Sequence, residues 1–258
     1  MNNILIKVEN LVKTFGGLVA LNDCSLEIKD KAITGIIGPN GSGKTTLFNV
    51  ITGNLKPDTG KVFYNGVEIT NEESHDLFHL GVLRTFQIAH EFSNMTVIEN
   101  LMVVPGNQKG EKLPYSLMNS QKIKKEDELI KDKAMEVLKF LKIEHLKNER
   151  AGNLSGGQKK LFELSRTMMV DAKIVFLDEV GAGVNKTLLR DISDSILKLN
   201  QDKGYTFCMI EHDFNFISEL CDPVIVLAEG SVLFKGSAEE VKSNEQVIES
   251  YLGKGLKK

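Results

Sequence analysis

The chain has 258 residues, 41% of them hydrophobic and 26% charged, enough for one large α/β domain or a domain carrying a lobe. Its net charge of −3 argues against a nucleic-acid surface, which needs a basic excess. Cys24, Cys208 and Cys221 form no metal-spaced pair, no apolar run nears the ~20 residues of a membrane helix, and the N-terminus "MNNILIKVENLVKTF" does not read as a signal peptide.

In chain order, Ile4 to Val8 and Cys24 to Lys29 read as strands joined through a turn at Gly16-Gly17. A short apolar run containing Ile33, Ile36 and Ile37 leads into Gly38-Pro39-Asn40-Gly41-Ser42-Gly43. A helix follows over Lys44 to Thr52, with Leu47, Phe48 and Ile51 on one face. Asn65-Gly66 in "KVFYNGVEI" is a hairpin signal. From about Ser74 to Met169 the pattern is mostly helical. It is interrupted by a polar loop over Pro105 to Asn119, and Ile130, Ala134, Val137, Leu138 and Leu141 share one helix face. Lys122, Lys124 and Lys125 precede Glu126, Asp127 and Glu128, as on a solvated helix. After Val170, strands at Ile174 to Leu177, Tyr205 to Ile210 and Val224 to Leu227 alternate with helix, as at Leu188 to Leu199. Cys24 and Cys208 fall in strands as small buried hydrophobes. The fold expected is α/β: a P-loop NTPase core with a mostly parallel sheet, an N-terminal antiparallel β subdomain and an inserted helical subdomain. Residues 1–258 form a single domain, with a nucleotide-binding core over 1–73 and 170–258 and a helical subdomain over 74–169.

Gly38 to Thr45 fits G-x-x-x-x-G-K-[ST] between a strand and a helix, the context that phosphate binding requires. Bare backbone at Gly38, Gly41 and Gly43, together with Asn40, Ser42 and Thr46, lets N–H groups converge on phosphate oxygens at a helix N-terminus. Lys44 would reach the β- and γ-phosphates of ATP, and the Thr45 hydroxyl would ligate Mg2+. "KIVFLDE" ends a buried strand in two carboxylates: Asp178, suited to hold Mg2+ through water, and Glu179, placed to take a proton from attacking water. In "NLSGGQKKLFELSRTMM", Ser155 and Gln158 have the spacing of a helix capping box. That leaves Gly156 and Gly157 unexplained, since each costs up to about 1 kcal/mol in a helix relative to alanine. They make sense where another molecule's phosphate approaches the helix end.

"LSGGQ" resembles the signature of ATP-binding-cassette ATPases, and the order P-loop, Gln87, signature, Asp178-Glu179, His212 matches that family over nearly the whole chain. The resemblance implies a head-to-tail pair of cassettes, homodimeric or heterodimeric, with each ATP closed between one P-loop and the partner's signature. On that likeness Ser155 and Gly157 contact the γ-phosphate in trans, with Gly156 and Gln158 beside them. Gln87 links Mg2+ and water to the membrane partner, His212 is the switch histidine, and Phe15 stacks on adenine. His75 and His79 share a helix face without an evident third ligand, which favours surface placement over a metal site.

One departure from the family pattern follows Glu179. The stretch reads Val180-Gly181-Ala182-Gly183-Val184-Asn185, without the two prolines common there, so this loop gains freedom and two N–H donors. "TFGGL", "GVLRTFQ", "MTVIENLMV" and the closing "SYLG" resemble the ATP-binding subunit of branched-chain amino-acid uptake systems. Relatives serving other solutes or exporters share parts of this pattern. The implied protein is a cytoplasmic ATPase, peripheral on the inner face of the membrane through transmembrane permease subunits and served indirectly by a solute-binding protein. A soluble, non-transport cassette regulator, in repair, translation or cluster assembly, is the rival class; repair and translation members usually carry a second cassette or a long coiled-coil insert. A P-loop kinase or GTPase would need an acceptor site or N-K-x-D, and neither is present.

Overall fold

Two sheets organise the first of two units into which the chain divides, Met1–Gln87, Lys173–Ala182 and Leu197–Lys258. The computed structural model describes residues 3–85, 91–106, 108, 110 and 120–252; Gln87 and most of the loop expected over Pro105 to Asn119 lie outside them.

Strands β1 (Ile4–Phe15) and β2 (Leu18–Lys29), of twelve residues each, form a hairpin turning at Gly16-Gly17, with Gly16 at φ 58°. These arms are longer than the two short strands expected because irregular register breaks the alternation between Val8 and Lys13. Asn10 and Asp23 sit there at φ 50° and 53°, and Asn10 Nδ2 donates to Asp23 Oδ1 at 2.6 Å. A third strand, β4 (Thr59–Tyr64), pairs antiparallel with β1 and turns at Asn65-Gly66 into β5 (Val67–Glu68). Positive φ at both turn residues, 48° and 81°, is the geometry that Asn-Gly supports.

The six-stranded sheet contains β3 (Ile33–Ile37), β6 (Val82–Arg84), β7 (Ile174–Asp178), β8 (Thr206–Ile210), β9 (Val224–Ala228) and β10 (Ser231–Gly236), in the order β10-β9-β3-β8-β7-β6. Its pairings are parallel except β9 with β10. Strands β3, β7 and β8 are buried throughout and are mostly apolar rather than alternating, as parallel strands covered on both faces are. Strand β6 lies within the stretch expected to be mostly helical; three residues are too few to show a period, and its identity comes from pairing with β7. Helix α1 (Lys44–Ile51) packs Leu47, Phe48 and Ile51 into a core shared with both sheets, where Phe48 meets Phe176 edge-on at 5.0 Å. A short helix α2 (Ser74–His79) precedes β6, with His75 and His79 exposed. All three cysteines are buried, and burial pushes their thiols up, Cys24 to about 12.

The second unit, Ile88–Ala172 with Gly183–Ile196, is helical. It contains α3 (Val97–Met102), α4 (Ser120–Phe140) and α5 (Gly156–Met168), followed in the chain by α6 (Lys186–Lys203). Ala134, Val137, Leu138 and Leu141 are buried and Ile130 half-buried, so the expected face of α4 is the packed one, while Lys122, Lys124 and Lys125 are exposed. The chain closes with α7 (Phe214–Leu220), α8 (Ala238–Ser243) and α9 (Glu245–Leu252) in the first unit. No helix among the described residues is long and apolar enough to cross a membrane.

Glu163 on α5 is buried, and loss of solvent pushes its carboxyl up to about 7; Lys160 and Arg166 oppose the shift and the Glu91 carboxylate adds to it. Because the folded value lies above the ordinary 4.5, stability from this group is complete below about pH 4.5 and is lost as pH rises through about 7. Glu163→Gln should flatten that slope and gain on the parent by on the order of 2 kcal/mol above neutrality, read from urea melts at pH 5 and pH 8.

Candidate active site

Four adjacent parallel strands deliver their carboxyl ends side by side: β3 into the glycine loop, β8 into Glu211-His212, β7 into Asp178-Glu179, and β6 ending at Arg84. In a sheet of this topology that edge is where ligands bind. Register sets the contacts: Asp178 lies opposite Ile210, and the Glu179 N–H donates to the Ile210 carbonyl at 3.0 Å.

Backbone crowding explains two of the loop's glycines. A Cβ on Gly38 would sit 2.1 Å from the Leu227 carbonyl oxygen, and one on Gly43, at φ 99°, would sit 2.4 Å from the Ala20 carbonyl oxygen. Gly41 is different: it lies at φ 81° with nothing within 4 Å of such an atom, so its neighbours leave room for a ligand. Gly43 N-caps α1 without a side-chain cap, which leaves first-turn N–H groups of the helix for an anion. Lys44 is buried, and its ammonium donates to the carbonyls of Gly38 at 2.8 Å and Pro39 at 3.0 Å. Burial lowers its pKa; the Glu179 and Asp178 carboxylates act in the opposite direction.

A cleft of about 280 Å³ gathers Asn40, Gly41, Ser42, Gly43, Lys44, Thr45 and Thr46 with Phe15, Glu179 and His212. Leu18, Val19 and Ala20 add an apolar wall next to Phe15, itself 47% exposed. Sequence reasoning missed Asp58, which fixes the approach to this aromatic. It accepts from the Thr14 N–H and hydroxyl at 2.7 Å each and from Lys13 at 2.8 Å, while Lys13 Nζ lies 5.7 Å from the Phe15 ring centroid. Those hydrogen bonds hold the Asp58 carboxyl down at about 2.

Each acid at the strand ends has its own partner. Asp178 is buried and its Oδ2 accepts from Arg84 Nη2 at 2.7 Å. The partner side chain is buried too, so removing either one would leave a buried charge at a cost of ~3–5 kcal/mol. Glu179 sits at φ 50°, strained for a residue with a Cβ, and its Oε1 lies 2.9 Å from His212 Nε2, where the ring N–H donates to the carboxylate. Glu211, also missed, is buried and accepts from the Gly181 N–H at 2.8 Å; burial raises its pKa. That bond, with Ala182 N–H donating to the Glu179 carbonyl at 3.3 Å, ties down the start of the loop that lacks proline. Arg84 and Glu211 carry a signal that sequence could have used: a single charged residue at the end of an apolar strand.

The signature residues lie in the second unit. Ser155 caps α5, with Ser155 Oγ accepting from the Gln158 N–H at 3.4 Å and Gln158 Oε1 accepting from the Ser155 N–H at 2.9 Å. The two glycines differ. Gly157 is buried, and a Cβ there would lie 2.1 Å from Leu188 Cδ2, so that side chain would have to shift to admit one. Gly156 has nothing within 4 Å, so no neighbouring atom of the chain crowds that position.

The residues fit a nucleotide-borne Mg2+. Thr45 and Asp178 supply hard oxygen donors, and among the described residues no cluster of three or more His, Cys, Asp or Glu could hold an ion unaided. Mg2+ is commonly held by one or two protein oxygens plus substrate phosphates.

With a glycine loop between strand and helix, a buried strand ending in Asp178-Glu179 and a histidine beside that glutamate, the architecture is that of an α/β P-loop nucleotide hydrolase. The chain matches the ABC transporter family over residues 21–182, and the family of branched-chain amino acid ATP-binding cassette transporters over residues 231–257. It is 42% identical over 249 residues to the probable branched-chain amino acid transport ATP-binding protein LivG of Archaeoglobus fulgidus, covering 96% of this chain and 95% of that one. It is 34% identical over 253 residues to the high-affinity branched-chain amino acid transport ATP-binding protein LivG of Salmonella typhimurium, covering 98% and 99%. Among solved structures it is similar to a nucleotide-free ATP-binding cassette from an ABC transporter, with 41% identity, a TM-score of 0.83, and coverage of 97% and 99%. A dimeric post-hydrolysis cassette bound to ADP and Pi aligns at 25% identity, with a TM-score of 0.73 and coverage of 91% and 99%. The chain belongs to the ABC transporter family, and it is a cassette ATPase.

Gly156→Ala separates the two glycine roles. It should leave monomer stability unchanged or raise it by up to about 1 kcal/mol, because the position has space and alanine favours helix. ATP turnover should fall nonetheless, a split read by thermal melts beside phosphate release.

Proposed function

We propose that this chain is the ATP-hydrolysing subunit of an importer of branched-chain or related amino acids, acting as a pair of cassettes on transmembrane permease subunits at the cytoplasmic face of the membrane. A solute-binding protein would serve the complex indirectly. The names of its full-length relatives support the solute class, and the similar dimeric cassette supports the pairing. The observation that carries the catalytic reading is the meeting of Glu179 and His212 at 2.9 Å on the cleft that the glycine loop lines.

The chemistry follows from those positions. The loop N–H groups and Lys44 bind the β- and γ-phosphates of ATP, Phe15 stacks on adenine, and Glu179 takes a proton from the attacking water. His212 holds that carboxylate in place and reaches the γ-phosphate. Thr45, Asp178 and Gln87 would hold Mg2+, which supplies neutralisation of the charge developing on the phosphoryl oxygens. Ser155, Gly156, Gly157 and Gln158 of a second copy close over the same nucleotide. Hydrolysis splits one anion into two mutually repelling ones, which favours opening and moves the permeases. The single domain over 1–258, with its helical subdomain, is the unit that makes this motion.

Glu179→Gln should keep ATP binding, lower turnover by about 10²–10⁴-fold, and accumulate as an ATP-bound pair on size-exclusion chromatography. Lys44→Ala should lose nucleotide binding instead. A Glu179→Gln variant with parental turnover would remove Glu179 from its role. Affinity capture from detergent-solubilised membranes should recover hydrophobic permease subunits with the chain; recovery of soluble proteins alone would refute the transport reading.

A further inference from the structure

Arg84 lies in the stretch "GVLRTFQ", where none of the readings above gives it a role, yet its side chain is held from several sides. Its Nη2 donates to Asp178 Oδ2 at 2.7 Å, and Nη1 donates to Asn49 Oδ1 on α1, the helix that follows the glycine loop. The guanidinium carbon lies 5.8 Å from the centroid of the Phe48 ring, and that ring is itself pinned edge-on against Phe176. The backbone is fixed as well: Arg84 is paired with Phe176 across β6 and β7, and the next residue, Thr85, donates its N–H to the Phe176 carbonyl at 2.9 Å. One side chain therefore spans the phosphate-loop helix, the sheet edge and the acidic strand end, with 8% of its own surface and 6% of the Asp178 side chain exposed.

A planar fork of this kind fixes direction as well as charge. A carboxylate has two oxygens; the guanidinium takes Oδ2 of Asp178, so Oδ1 is the oxygen left for the water shell of a cation. We propose that Arg84 is a positioning residue for Mg2+-nucleotide: bracketed by Asn49 and Phe48, it sets the orientation of the Asp178 carboxylate relative to the phosphate loop. Groups that orient a metal-facing carboxylate typically contribute a 10–100-fold factor in metal affinity. A packing role would act on stability alone, and a purely electrostatic role would act in the opposite direction, since a nearby cation repels Mg2+.

The inference rests on Asp178 serving Mg2+, and the experiment separates the two claims. A fluorescent, uncleavable ATP analogue is titrated into the full-length chain with and without Mg2+, and the ratio of the two Kd values gives the Mg2+ coupling without any turnover. Arg84→Gln should reduce that coupling by about tenfold or more while the Mg2+-free Kd stays within about twofold. Unchanged or increased coupling, or equal loss with and without Mg2+, overturns the positioning role. Should Arg84→Gln not fold, Asn49→Ala decides: it keeps the Arg84–Asp178 charge pair but removes the second anchor, and the coupling should fall by a smaller factor. Unchanged coupling there overturns the proposal too. Asp178→Asn is the control for the underlying reading. If it leaves the coupling intact, Asp178 does not serve Mg2+; if it abolishes coupling while Arg84→Gln does not, only the Arg84 inference fails.

Discussion

Two carbonyl oxygens, those of Leu227 and Ala20, stand where a methyl group on Gly38 or Gly43 would have to go. That exclusion lets the loop after β3 fold tightly against β9 and β2 and brings its N–H groups and the start of α1 to one place. Everything else at the site is arranged around that anchor. The burial of Lys44 inside its own loop, with its ammonium on the Gly38 and Pro39 carbonyls, follows from the same tight path. The cost of burying that charge is offset by two carbonyl hydrogen bonds and by the carboxylates of Glu179 and Asp178.

The anchor works because the core beneath it is rigid. Leu47, Phe48 and Ile51 on α1 pack into one cluster with residues of both sheets, so the helix cannot shift without opening a core at close-packed density. Parallel pairing then fixes the neighbours. With β8 and β7 in register on one side of β3, Glu211-His212 and Asp178-Glu179 emerge adjacent. No loop has to search for that geometry; it is set by strand order.

Much of this was legible in the sequence, for identifiable reasons. Phosphate binding needs a residue pattern so constrained that Gly38 to Thr45 announces both its conformation and its ligand, and the Asn65-Gly66 turn is equally local. Features that depend on long-range pairing were not legible. The hairpin arms of β1 and β2 hide behind bulges at Asn10 and Asp23 that interrupt alternation. Strand β6 is too short to show a period, and only its pairing with β7 brings Arg84 beside Asp178. Gly157 has a second feature that long-range packing alone reveals: Leu188, on the following helix, places its side-chain end where a Cβ would go. Gln87, expected to link the site to the membrane partner, lies outside the described residues.

The strand-end acids divide their labour by what each one touches. Asp178 is buried against the Arg84 guanidinium, a contact that holds its carboxylate in one orientation. Glu211 is spent on the Gly181 N–H and steadies the loop rather than the substrate. Glu179 alone combines partial exposure, a strained backbone and a partner, His212, whose side chain is 51% exposed and can change its hydrogen bond without unfolding anything. Strain of this kind persists only where the surroundings enforce it, and it concentrates at sites of chemistry. A carboxylate that must accept a proton and return it each cycle has to be held loosely enough to exchange and firmly enough to aim. Of the three acids, Glu179 is the one whose contacts meet both conditions.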